Sequence, residues 1–325
     1  MDAFHSRALA LAAAFSLACA SDAALGHGFA GKRFFPATLA SDDPFVADEL
    51  SLPTVSSAKS RGEGDEPGLK TTTTSVDYTK RVTPDFGVGL GAAWLRLKPD
   101  EGGGDAVSGA DNLSASAKYR FYQDEAAESI ASFGVDWDIG HSGAKRVGPE
   151  AFSTFTPTLF AGKGFGELPE SLKYLRPVAV TGTLGVGIPS RSSTTTTTVD
   201  PDTGDAITTT ERHPHVLKVG FSLQYSLSYL QSFVKDVGLP APLDRMIPLI
   251  EVSLQKPLDR GGGPTTGTWN PGILWAGRHM QLGVEAILPI NSSTPVRHGW
   301  IAQIHFFMDD LFPRSLGRPI SGTAQ

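Results

Sequence analysis

Leu217-Lys218-Val219-Gly220-Phe221-Ser222-Leu223-Gln224-Tyr225-Ser226-Leu227-Ser228-Tyr229 alternates without a break: odd positions are apolar or aromatic, even positions polar or glycine. Successive side chains of a strand point to opposite faces, so a period of two makes this a β-strand with one apolar and one wet face. Its span of about 43 Å at 3.3 Å per residue is far beyond the usual globular strand. The same alternation returns in Phe86-Trp94, Leu113-Phe121, Ala131-Ile139 and Met280-Leu288.

A soluble β-sandwich alternates too, so the solvent is decided by what sits on each face. Aromatic residues gather near the ends of the apolar faces (Phe86, Trp94, Phe121, Trp137, Tyr229, Trp300), as in the interfacial girdles of membrane barrels. The polar faces carry isolated charges among small side chains: Lys118, Arg120, Asp136, Asp138, Glu251 and Glu285. These six are the candidate lumenal residues, with Lys118 and Arg120 set against Asp136 and Asp138 on the next strand as a charge constriction or as structural salt bridges. Connections mostly alternate between short and long, with intermediate ones at 164–173 and 231–244, as in an up-and-down membrane barrel.

Eleven strands follow from Leu69 onward, at roughly 69–81, 86–97, 112–122, 129–140, 154–163, 174–188, 214–230, 245–256, 267–276, 279–289 and 297–307. An odd count would leave the termini on opposite sides of the membrane. Residues 45–57 (FVADELSLPTVSS) therefore serve as a twelfth strand, although Pro53 cannot donate to a ladder. The expected fold is all-β, a transmembrane antiparallel up-and-down barrel of about twelve strands. The alternative is ten strands with 45–57 as an inner plug. Ser228–Val237 before Gly238 and Pro240 reads as a short helix, and the Thr-rich arms around Asp200–Asp205 as a hairpin extending the sheet.

Residues 1–26 have a basic start, a short apolar run from Ala8 to Ala18 and an Ala18-Cys19-Ala20 site, the layout of a secretory signal peptide. Ser16 stands where a lipid-attachment signal wants leucine, so Cys19, the one cysteine, leaves with the signal and the mature chain has no disulfide. The expected organisation is a signal peptide (1–26), a periplasmic N-terminal segment (27–44), the barrel (45–307) and a periplasmic tail (308–325). A net charge of −6 gives no basic footprint for nucleic acid. The partners this implies are outer-membrane lipid and lipopolysaccharide, the barrel-assembly machinery and a small solute.

No catalytic, cofactor or metal residue is expected. Arg212-His213-Pro214-His215 puts two histidines on one face without a third ligand nearby, and His305 faces the lumen without a G-x-S-x-G or similar nucleophile motif. The runs at Gly102–Gly104 and Gly261–Gly263 lack a following Lys-Ser/Thr and are loop tips.

Asn270-Pro271-Gly272, the strand Gln281–Asn291 and the ending Gln303–Pro313 resemble the outer-membrane family named for the phenol-degradation meta pathway (MetA-pathway). Arg33–Thr38 and Asp43–Leu50 are similar to the same group, although a closing strand usually ends such a chain and here a tail follows Phe307. The resemblance implies a porin-like or transporter-like barrel and uptake of hydrophobic or aromatic compounds, and it brings no catalytic residues. The expected function is an outer-membrane channel for passive solute uptake. A structural barrel with a closed lumen and a secreted soluble β-protein are the alternatives. Val219→Arg or Val135→Arg on the apolar face is expected to cost roughly 2 to 4 kcal/mol, with Ser222→Arg better tolerated.

Overall fold

The computed structural model describes residues 28–62, 67–100, 104–199 and 205–321; the expected signal peptide lies outside them. The wall is formed by β1 (Glu49–Ser60), β2 (Leu69–Arg81), β3 (Phe86–Pro99), β4 (Leu113–Asp124), β5 (Ser129–Ile139), β6 (Thr154–Gly164), β7 (Val178–Pro189), β8 (Val216–Tyr225), β9 (Met246–Pro257), β10 (Thr266–Ala276), β11 (Met280–Pro289) and β12 (Val296–Phe307). Each pairs antiparallel with the next, and β12 pairs with β1, closing a ring of twelve. Residues 45–57 therefore belong to the wall from Glu49 onward; the ten-strand alternative is excluded because β1 hydrogen-bonds on both sides.

Alternation sorts the side chains as the sequence pattern requires. Phe221 and Leu223 lie on the outer face of β8, while Ser222 and Gln224 are buried inside. Leu90, exposed by 68%, Leu159, Leu184 and Val284 continue the outer apolar band. Trp94, Trp137, Phe155 and Trp269 sit towards one end of it, with Trp137 and Phe155 stacked at 5.6 Å. An apolar surface of this extent around a closed ring has no aqueous explanation and matches a lipid-facing band.

The two ends differ. At one, which we call the near end, the connections are 82–85, 125–128, 165–177, 226–245 and 277–279, two of them lengthened by short helical turns at Glu170–Leu175 and around Leu227–Val234. At the far end are longer excursions, among them a two-stranded ribbon of Ser193–Val199 with Ala206–Arg212 in which Thr195 faces Thr210 and Thr197 faces Thr208.

Two segments depart from expectation. Residues 27–44 were expected to lie outside the barrel, yet from Phe35 the chain dips into the ring from the near end and returns to β1. The physical reason is that inward polar groups of the wall, costly to leave unpaired, find partners in this segment's backbone. Residues 316–321 do not hang free but cross the β2–β3 turn, where Lys80 Nζ donates to the Leu316 and Arg318 carbonyls (2.7 and 2.6 Å) and Ser321 N donates to Val82 O (2.8 Å). Asp48 binds Lys80 (2.7 Å) and Arg81 (2.8 Å) beside the place where β12 meets β1.

Candidate functional site: the barrel interior

The inner segment is held from opposite walls. Glu251, buried on β9, accepts hydrogen bonds from the backbone N–H groups of Leu39 (2.7 Å), Ala40 (3.1 Å) and Ser41 (2.8 Å) and from the Ser41 hydroxyl (2.8 Å). Gln281 on β11 donates to Ala37 O at 2.6 Å. Across the ring, Lys118 on β4 pairs with Asp42 (2.6 Å) and donates to Asp43 O (2.7 Å), while Ser132 on β5 donates to Pro44 O. Residues 37–44 thus bridge β9 and β11 to β4 and β5 and cross the lumen. Glycine makes room for them: a Cβ on Gly220 would stand 2.9 Å from the Ser41 Cβ, and one on Gly283 would stand 2.7 Å from Leu39 Cδ1.

Where the segment enters, Arg33 is buried against Glu128 (3.2 Å), donates to the carbonyls of Arg176 and Pro177, and lies over the Tyr229 ring, 3.9 Å from its centroid. The Tyr229 hydroxyl donates to Glu128 (2.9 Å); burial and this bond push its phenol up to about 12. This latch joins the segment to the β4–β5, β6–β7 and β8–β9 connections. Above it, Phe35, Phe45, Ile130 and Ala179 form a small apolar core.

The six candidate residues take different places. Lys118 is lumenal and engaged by the inner segment, as is Glu251. Arg120 turns to the near rim, where it binds Asp85 (3.0 Å) and Gln123 (2.6 Å). Glu285 is buried close to Glu251, since Glu251 is opposite Asn270 and Glu285 opposite Gly272 on β10. Asp136 and Asp138 face the interior without forming the cross-strand bridges to Lys118 and Arg120. Among the described residues no three metal-ligating side chains converge; His213 contacts Thr194 (2.8 Å) and Phe152, and His215 contacts Asp259 (3.3 Å). Ser222 has no exposed surface, and the adjacent Gly220 is packed on the inner segment, so Ser222→Arg loses its role as the well-tolerated substitution.

A cavity of about 390 Å³ remains beside the inner segment, against β1 to β5 and β12. A second, of about 470 Å³, opens at the far end and is lined by Asp111, Asp138, Glu150, Glu211, Arg212 and Lys218 among others. The glycines that admit the inner segment were legible as small inward positions, but alternation alone does not say what fills the space they leave.

The chain has the fold of a solved outer-membrane protein. The crystal structure of the COG4313 outer membrane channel from Pseudomonas putida F1 superposes with a TM-score of 0.55 at 10% identity, over 84% of this chain and 98% of that one. The β domain of the Bordetella autotransporter BrkA gives 0.47 at 11% identity, over 81% and 99%. The Ralstonia pickettii toluene transporter TbuX gives 0.39 at 10%, over 90% and 98%. The likeness of fold rests on the first. No protein-family model and no curated protein sequence matches the chain.

Proposed function

We propose that this protein is an outer-membrane channel through which small water-soluble solutes diffuse passively past an inner segment that narrows the lumen. The observation that carries the reading is the cavity left along β1 to β5 while the opposite half of the lumen is filled. The wall there offers Ser, Thr, Gly, Asp, Glu and His rather than an apolar lining, which favours polar solutes over the hydrophobic or aromatic compounds implied by the family resemblance. The fold of the Pseudomonas channel is consistent with this reading.

In it the near end is periplasmic, the far end extracellular, residues 1–26 are an export signal, and lipopolysaccharide and the assembly machinery are the partners of insertion. No enzymatic step is part of it. The filled half of the lumen favours one competing reading, a structural barrel closed by its own segment. Planar-bilayer recording separates the two: discrete conductance steps are expected, and a folded, heat-modifiable barrel without conductance at any voltage would overturn the channel.

A further inference from the structure

The strand register places inward side chains in rows that run from strand to strand. One row passes through His305, Ser51, Asp77, Gly91, Ser114 and Asp138, from β12 to β5. The next runs Glu49, Thr79, Gly89, Ser116, Asp136. In a barrel whose strands tilt by about 40°, each lateral step of about 4.8 Å climbs about 3 Å along the axis, so the first row rises by about 15 Å. Strand positions agree: His305 and Ser51 lie close to the near ends of β12 and β1, whereas Ser114 and Asp138 lie at the far ends of β4 and β5. The strip therefore climbs beside the inner segment, and its last residue, Asp138, borders the far-end cavity.

The charge along this strip has one sign. Asp42, Asp43, Glu49, Asp77 and Asp136 border the inner cavity, and among the described residues that line it there is no lysine or arginine. Lys118, the base on the adjoining wall, is held by Asp42 and the Asp43 carbonyl. A second observation points to a positively charged occupant. His305, only 3% exposed, borders the cavity with Nδ1 2.9 Å from the Ser51 hydroxyl, while its Nε2 has no hydrogen-bond partner and Glu49 stands 3.7 Å away. When Nδ1 donates to Ser51, the buried Nε2 lone pair faces the Glu49 carboxylate, and positive charge at this edge of the cavity relieves that pairing. Between the carboxylates the strip carries glycine and serine: the Asp77 carboxylate and the Ser114 hydroxyl close over Gly91, while Asp77, Gly89, Ser114, Ser116 and Asp136 all border the cavity.

We propose that this climbing strip is a cation path, with Asp77 and Asp136 as its selectivity-determining residues and small cations, organic ammonium ions included, as the solute class. The proposal rests on the channel reading. Rings or rows of carboxylates select cations because fixed charge in a narrow, poorly screened passage raises counter-ion occupancy and excludes co-ions.

The test is the reversal potential of the intact barrel in planar bilayers under a KCl gradient, beside the double variant Asp77→Asn, Asp136→Asn and the far-end pair Glu150→Gln, Glu211→Gln. Wild type is expected to favour potassium over chloride several-fold; the double variant should lose at least about threefold of that ratio while still conducting, and the far-end pair should lose less. A reversal potential at zero or on the anion side, or an unchanged ratio in a folded double variant, overturns the cation path and leaves the channel standing. Absence of conductance in folded wild type overturns both.

Discussion

Two rows of inward side chains, built on the same alternation, ended in opposite environments. Thr181, Ser222, Glu251 and Asn270 are paired across β7 to β10 and all are at most 3% exposed. In the row Ser51, Asp77, Gly91, Ser114 and Asp138, paired across β1 to β5, Ser51, Asp77 and Ser114 border the inner cavity and Asp138 the far-end one. A polar inward face is therefore only half a description: what it touches, water or another part of the chain, decides whether its residues act as ligands for a backbone or as lining for a solute.

The largest blow to this contrast is Arg33→Ala. It leaves Glu128 buried without its cation, and breaking such a pair costs about 3 to 5 kcal/mol. Hydrogen exchange of residues 35–45 should rise sharply while the wall strands stay protected. Glu251→Ala attacks the filled row directly: three backbone donors lose their charged acceptor, each worth about 1.5 kcal/mol or more. A larger single-channel conductance than wild type checks it. Val219→Arg on the outer face should cost about 2 to 4 kcal/mol and impair insertion, whereas Ser114→Arg in the wet row should fold with under about 1 kcal/mol lost, as urea unfolding in lipid vesicles would show. Equal costs would mean that the two faces of the wall see the same solvent.

The smallest effect is on pH. Unfolded Tyr229 releases its proton near 10, while the folded phenol holds it until about 12. Between those values the unfolded chain binds fewer protons, so stability falls as pH rises and the latch is intact below 10. A tyrosine titrating last by ultraviolet absorbance, and absent in Tyr229→Phe, is the expected signature.

Most of the wall was legible because a membrane imposes a period of two on one face and leaves turn chemistry to punctuate it; β2 spans Leu69–Arg81, as expected. The alternating stretch 217–229 is corrected by the structure: β8 stops at Tyr225, because the Ser226 hydroxyl accepts from Tyr229 N and caps a helical turn over Leu227–Tyr229, which takes Tyr229 out of the aromatic girdle and into the latch. β7 likewise starts at Val178 rather than 174, after the helical turn at Glu170–Leu175. The strand containing Pro53 was harder, since its ladder is irregular between Ser51 and Thr54. The inner segment was not legible at all. Pro36 and Pro44 interrupt it, and it has no period because its backbone, rather than a face of side chains, makes the contacts. Asp136 and Asp138 were identified from their strand, but Asp77 and Glu49 were missed because they become neighbours of Asp136 only through the register of five strands. A run of inward glycines opposite serines was the available signal.

Both limbs of the inner segment leave by the same mouth: Arg33 is latched there, and Asp48 leads there into β1. The segment is thus a loop dipped into the ring rather than a thread passed through it. No chain end has to travel through the barrel to place it or remove it, so the occupied and the emptied lumen are connected without knotting or opening the wall.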